Sequence, residues 1–163
     1  MKSPQFSVRL TKEELIFSAA HFITFNGNIC ERLHGHNYRV AAEVRGPLDE
    51  NHYVYDFIAL KETLKNLIAA WDHHVLLPLH HPRILVRQTD GEVIATFEER
   101  RWVFPAEDCV LLPVANTTAE LLAAHLAEQL AARLRALDHP LPLTLAIGVD
   151  ECAGQWAWCE IQL

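Results

Sequence analysis

The sequence has no Cys-x-x-Cys pair, no excess of basic residues and no apolar run long enough to cross a membrane. Each absence removes a class of function. The four cysteines stand at 30, 109, 152 and 159, and without paired spacing they argue against a disulfide framework. Cys152 and Cys159 read instead as small buried residues of the last strands. A formal net charge of −7 argues against a nucleic-acid surface, which needs a basic face. Nothing resembles the 18 or so consecutive apolar residues of a membrane span. The first twenty residues, from Met1-Lys2-Ser3-Pro4-Gln5 onward, lack the uninterrupted apolar region of a signal peptide. The expectation is a soluble, cytoplasmic protein. Its 163 residues, 50% of them apolar, suit one domain spanning 1–163 with a sizeable core.

What the chain does have is Cys30-Glu31-Arg32-Leu33-His34-Gly35-His36, with His21 upstream in Phe17-Ser18-Ala19-Ala20-His21. If residues 33–40 form a strand, as Tyr38 and Val40 suggest, His34 and His36 project from the same face, roughly 6–7 Å apart at the backbone. Two imidazoles at that separation can converge on one zinc ion, and His21, in another strand-like run, can supply a third nitrogen. Three histidines without an obvious fourth ligand describe a catalytic zinc site, which keeps a position open for water or substrate. Cys30 admits three readings: an acid–base group beside the metal, a fourth ligand that closes the site, or a buried thiol.

The coarse order is strand, strand, helix, insert, helix, strand, strand. Residues 5–23 and 33–45 read as a long hairpin joined through Asn26-Gly27-Asn28. Asp56 sits where an N-cap belongs, ahead of the stripe Phe57, Leu60, Leu64, Leu67, Ile68 and Trp71, so a helix should run to near Asp72. A second helix should open at Thr117-x-x-Glu120, a capping-box pattern. Its stripe of Leu122, Leu126, Leu130, Leu134 and Leu137 ends at Asp138-His139-Pro140. Residues 142–149 and 155–162 alternate as two closing strands. In the insert, at about 79–113, Asp90-Gly91 between β-rich runs is a strong hairpin signal, with Trp102-Val103-Phe104-Pro105 returning the chain to the body.

Phe17 to His21, Cys30 to His36 and Asn37-Tyr38 together resemble the 6-pyruvoyl-tetrahydropterin synthase family, which includes the 6-carboxytetrahydropterin synthases of queuosine biosynthesis. The similarity continues in order through Tyr55-Asp56-Phe57 with Leu60-Lys61, Asp72-His73, Asn116-Thr117-Thr118-Ala119-Glu120 and Val149-Asp150-Glu151. It covers roughly residues 6–78 and 114–163. The resemblance implies the α+β tunnelling fold, a four-stranded antiparallel sheet with two helices on one face in ββααββ order, here with an extra β-hairpin insert. It implies a homo-oligomer, commonly a hexamer, that closes the sheets into barrels. It further implies Zn²⁺ held by His21, His34 and His36, and a lyase-type reaction on 7,8-dihydroneopterin triphosphate. Cys30, Asp72 and His73 would be its proton relay, and Glu151 the anchor of the pterin ring. Thr117 or Thr118 is a further expected contact to the pterin. The triphosphate needs a local cationic cluster, for which Arg32, Arg39, Lys61 and Lys65 are candidates.

The resemblance leaves the product open. Glu31 stands three residues before His34, so the chain reads both Cys-x-x-x-His-Gly-His and Glu-x-x-His-Gly-His. Relatives with a glutamate near this place yield 6-hydroxymethyl-dihydropterin for folate synthesis, which makes Glu31 an alternative acid–base group. Elimination of triphosphate alone would give the 6-pyruvoyl product. With no sign of a eukaryotic appendage, 6-carboxytetrahydropterin for queuosine is the favoured reading. A reading of another class keeps Cys30 and the three histidines as a structural zinc site without catalysis. Of the remaining histidines, His125 reads as packing, and His52, His80, His81 and His139 as loop residues.

Overall fold

A computed structural model describes residues 5–27, 29–136 and 142–163. Strand β1 (Phe6–His21) pairs antiparallel with β4 (His34–Gly46), with a register shift between Thr11 and Ile16. A small hairpin of β2 (Thr24–Phe25) and β3 (Ile29–Cys30) joins them. Asn28 of the expected turn lies outside the described residues. The closing strands are β10 (Thr144–Asp150) and β11 (Trp156–Gln162), and β10 pairs antiparallel with both β4 and β11.

Helix α1 (Phe57–Ala69) starts where the sequence places it. Asp56 accepts from the backbone N–H of Ile58 at 2.7 Å and of Ala59 at 3.3 Å. Leu60, Leu64 and Ile68 are buried, but Phe57 is 53% exposed. In the first turn its direction falls off the core-facing stripe, so it is not the core residue expected. Helix α2 (Ala119–Arg135) buries Leu122, Leu126, Leu130 and Leu134. Leu137 and the Asp138-His139-Pro140 stop lie outside the described residues. Its cap is Thr118, whose hydroxyl accepts from Leu121 N–H at 3.5 Å, one residue later than predicted. Thr117 is withdrawn into the interior instead. Both helices and the sheet share one core with Phe17, Tyr38, Val40, Leu145 and Ile147.

The sheet is larger than the four antiparallel strands expected. Its order is β11-β10-β4-β1-β5-β9, because β5 (His74–Pro78) and β9 (Cys109–Leu112) add in parallel beside β1. Both bounds of the 79–113 segment are therefore tied to the main sheet. Within it β6 (Leu85–Thr89), β7 (Glu92–Phe97) and β8 (Arg100–Pro105) form a separate three-stranded antiparallel sheet. Asp90-Gly91 makes the two-residue β6–β7 turn, with Gly91 at φ +81° in the second central position, a left-handed conformation that favours glycine. This sheet packs through Val93, Ala95 and Phe97 on Phe22, Leu77 and Ile84, a second core. Among the described residues, no helix is long and apolar enough to cross a membrane.

Of the cysteines, Cys152 is exposed in the turn after β10, not buried in a strand, while Cys159 is half-buried on β11; all four are free. The turn itself is held by Asp150, which is buried and accepts from the N–H groups of Gly154 at 3.3 Å and Gln155 at 2.9 Å.

A buried carboxylate on the sheet predicts an acid-sensitive increment of stability. Glu43 on β4 accepts from Arg9 at 2.8 Å and 3.1 Å and from Arg45 at 3.0 Å. Arg9 first, then Arg45, holds its carboxyl below the usual carboxylate range against the opposing effect of burial. A depressed folded-state pKa gives stability that is present above the unfolded carboxylate value and lost as pH falls through the folded one. Glu43→Gln should cost about 1 kcal/mol at neutral pH, below the roughly 1.5–3 kcal/mol usual for a charged hydrogen bond, because both arginines are half-exposed or more and solvent screens them. The gap should close on acidification below about pH 4. Urea melts of both proteins across that range measure it, and a constant gap would contradict the assignment.

Candidate metal centre

Strand register brings the three histidines together. His21 pairs opposite His34, Ala19 opposite His36, and Phe17 opposite Tyr38. Alternation puts Leu15, Phe17, Ala19 and His21 on the inward face of β1, and their partners on the same face of β4. The imidazole centroids lie 4.8 Å (His21–His34), 5.2 Å (His21–His36) and 4.7 Å (His34–His36) apart. Gly35 lies between the two β4 histidines, where a Cβ would stand 3.3 Å from the Ala19 carbonyl oxygen.

A fourth donor joins them. The β10–β4 register, in which Val149 faces Val40, continues to put Glu151 beside Tyr38. Glu151 Oε1 stands 3.1 Å from Nε2 of both His21 and His36. One ligand atom from each of His21, His34, His36 and Glu151 lies within 4.8 Å of the others. The fourth position that looked open in sequence thus has a carboxylate at hand.

The donor set fits a metal ion. Nε2 of His21 and of His36 is buried without a hydrogen-bond partner among the described residues, although the Glu151 carboxylate stands 3.1 Å from each. Buried nitrogens are seldom left so. The other ring nitrogens are used: Nδ1 of His21 donates to the Thr117 carbonyl at 2.9 Å, and Nδ1 of His34 to the Arg32 carbonyl at 2.8 Å. Those bonds fix the tautomer that leaves Nε2 free to ligate. Burial, outweighing the nearby Glu151, holds the His36 pKa below its ordinary value. The close approach of His21, with His36 and His34, holds the Glu151 carboxyl below the usual range despite burial.

Around this centre the remaining candidates divide. Glu31 turns its carboxylate inward: Oε2 is 3.9 Å from His34 Nε2 and accepts from Ile23 N–H at 3.4 Å. Cys30 is half-buried and outside the cluster, its Sγ–H directed to the Glu31 carbonyl at 3.5 Å. Burial, aided by Glu31 and Glu98, pushes its thiol up, with Arg100 opposing.

Asp72 and His73 follow α1 in the turn before β5 and form their own pair, Nδ1 to Oδ2 at 2.9 Å. The turn is locked to β1: Ser18 N–H donates to Asp72 at 2.8 Å, and His73 N–H to the Ser18 carbonyl at 2.6 Å. His73 holds φ +61°, a conformation of some strain for a residue with a Cβ. The Ser18 N–H first, and then His73, holds the Asp72 carboxyl low. The imidazole of His73 is 81% exposed and borders a cleft also lined by Ala20, Gly35, His36 and Asn37. Among the described residues of one chain, no hydrogen bond joins Cys30 to this pair.

Thr117 is fully buried, its hydroxyl donating to the Phe22 carbonyl at 3.3 Å. Its place is behind His21, a role that a sequence reading missed because the contact to His21 uses a backbone oxygen. Thr118 caps α2, and Glu120 is exposed in its first turn. Among the cationic candidates, Lys61 and Lys65 are engaged by Glu14, at 3.1 Å and 3.7 Å, while Arg32 and Arg39 are exposed. His125 stacks on Trp71 as packing. His81, in its loop, accepts from two backbone N–H groups through Nδ1 and meets Thr24 Oγ1 at 2.7 Å through Nε2.

Residues 9–162 match the model of the 6-pyruvoyl tetrahydropterin synthase family. A Methanocaldococcus jannaschii protein with the provisional name 6-carboxy-5,6,7,8-tetrahydropterin synthase is 33% identical over 144 residues, 88% of each chain. A Pyrococcus abyssi protein of the same provisional name is 32% identical over 74% of this chain and 70% of its own. Among solved structures, 6-pyruvoyl tetrahydropterin synthase of Plasmodium falciparum superposes with a TM-score of 0.91 at 29% identity, covering 99% of this chain and 100% of its own. The Plasmodium vivax synthase superposes at 0.90 and 28% identity over the same shares. Two further vivax structures carry alanine or cysteine in place of a glutamate described as a catalytic residue.

Proposed function

Given that the chain belongs to the 6-pyruvoyl tetrahydropterin synthase family, we propose that it is a zinc-dependent, lyase-type synthase acting on 7,8-dihydroneopterin triphosphate. The product we assign is 6-carboxy-5,6,7,8-tetrahydropterin on the queuosine route, with triphosphate and acetaldehyde released. The observation that carries the proposal is the convergence of His21, His34 and His36 with two buried, unpartnered Nε2 atoms. The provisional names of the archaeal relatives support the choice of product.

His21, His34 and His36 would hold the zinc, which when bound supplies Lewis-acid polarisation of the substrate's side-chain hydroxyls. Thr117 and Arg32 keep two of those rings oriented through their carbonyls. Glu151, kept ionised, can accept the two N–H bonds of the pterin's guanidine-like edge, a charge-assisted pairing that fixes the ring. Asp72 steadies the His73 imidazole at the cleft, and the pair would exchange protons with the substrate side chain alongside Cys30. The protein would work as a homo-oligomer, a hexamer by family resemblance.

A second reading has its own observation. The carboxylate of Glu31, not the thiol of Cys30, faces the histidine cluster within this chain. The catalytic glutamate of the vivax synthase gives a precedent for such a group. Under this reading Glu31 takes the side-chain proton and the product is 6-hydroxymethyl-dihydropterin. Mass analysis of the pterin formed by the zinc-loaded protein separates the two. A 6-carboxy product upholds the first reading and a 6-hydroxymethyl product the second, while a folded, zinc-bound protein that leaves the substrate intact overturns both.

A further inference from the structure

The Cys30–Glu31 peptide sits at the end of a hairpin with only two residues in each strand. A ribbon of that length has little stability of its own, yet it must hold two candidate acid–base side chains in place. Glu31 ties itself back to the connection between β1 and β2, its N–H donating to the Ile23 carbonyl at 2.9 Å. Asn116 Nδ2 donates to the Thr24 carbonyl at 3.1 Å on the opposite strand.

His81 Nε2 meets Thr24 Oγ1 on that same strand at 2.7 Å, and a further tie, to the Cys30 side, comes from the three-stranded sheet. Arg100, the first residue of β8, donates from Nη1 to the Cys30 carbonyl at 2.7 Å. Its guanidinium carbon lies 4.7 Å from the centroid of Trp102. Trp102 in turn stacks on Phe22 at 4.3 Å and 21°, next in sequence to His21. The cation thus sits over one aromatic ring while one of its donors reaches the peptide. Around Cys30 the charged groups are Arg100, Glu31 and Glu98, and Glu98 is itself engaged by Arg83.

We infer that Arg100 is a positioning residue: it pins the peptide between Cys30 and Glu31, and through that peptide sets both side chains relative to the metal-binding histidines. This gives the 79–113 segment a task in the reaction, and it rests on the reading that Cys30 or Glu31 moves the substrate's protons. Such a residue acts on the placement of a reacting group, and small misplacements are costly in kcat.

Arg100→Ala is compared with Arg83→Ala, which breaks the Arg83–Glu98 pair and the packing over Phe97 in the same sheet but does not touch the hairpin. For Arg100→Ala, kcat should fall about tenfold or more with KM within about twofold, and bound zinc should stay at the wild-type level. The limiting rate at which iodoacetamide labels Cys30 at high pH, followed peptide by peptide with Cys159 as internal standard, should rise several-fold. Arg83→Ala should leave all of these at wild-type values. Wild-type labelling in Arg100→Ala, or equal changes in both variants, overturns the inference. The labelling arm does not need turnover, so it still decides for or against the clamp if the protein proves inactive on pterins. Should Arg100→Ala fail to fold, Arg100→Met keeps the stem over Trp102, removes the donor and reads the same quantities.

Discussion

Cys30→Ala and Glu31→Ala should part company in what they do to the product. Loss of a general acid–base group costs about 10²- to 10⁴-fold in rate. The full loss is expected in Cys30→Ala if the 6-carboxy product dominates, with Glu31→Ala then no more than about tenfold down. Glu31 has the better position within the chain, 3.9 Å from His34 Nε2. Cys30 has the harder task, because it lies outside the cluster and burial raises its thiol pKa. A chain that carries both groups should therefore form some 6-hydroxymethyl-dihydropterin, and Glu31→Ala should remove that share selectively. Chromatographic resolution of products from the two variants and the wild type is the measurement. Equal, small effects of both substitutions would remove both residues from the chemistry.

The second large effect concerns the histidines. His36→Ala should lower zinc affinity by more than about a hundredfold, beyond the loss typical of an outer-shell partner, and reduce turnover to background. It should not unfold the chain. The cluster stands at the strand ends, above a buried core that includes Phe17, Tyr38, Val40 and Val149, and the sheet is built without it. Melting of chelated wild-type protein and of His36→Ala, read beside metal analysis, tests this. A cooperative unfolding on zinc removal would instead mark the site as structural, the non-catalytic reading that the sequence leaves open.

Much of the site was legible because register and alternation are local rules. His34 and His36 share a face by spacing alone, and His21 joins them because β1 and β4 form the long hairpin that their patterns indicate. Asp56 and Asp90-Gly91 were legible for the same reason, each being a short motif with its own geometry. What escaped depends on contacts distant in sequence. The runs that become β5 and β9 are short and apolar without alternation, and the parallel pairings of β5 with β1 and of β9 with β5 join residues far apart in the chain. Thr117 matched the capping pattern, but the Phe22 carbonyl draws its hydroxyl inward and leaves the cap to Thr118. Glu151 was readable as a ring anchor by resemblance, yet its approach to His21 and His36 follows from the β10–β4 register, which no local motif reports. Arg100 belongs to no motif, and its contact with Cys30 spans seventy residues.

If His21, His34 and His36 of one chain hold a zinc ion on which pterin turnover depends, activity should track bound zinc. The direct test is to strip the protein of metal, add zinc in steps, and follow conversion of 7,8-dihydroneopterin triphosphate at each addition. Turnover rising in proportion to zinc and breaking at one ion per chain is the result predicted. Turnover by the stripped protein equal to that of the zinc-loaded one, or zinc bound at one per chain with no conversion at all, would contradict it.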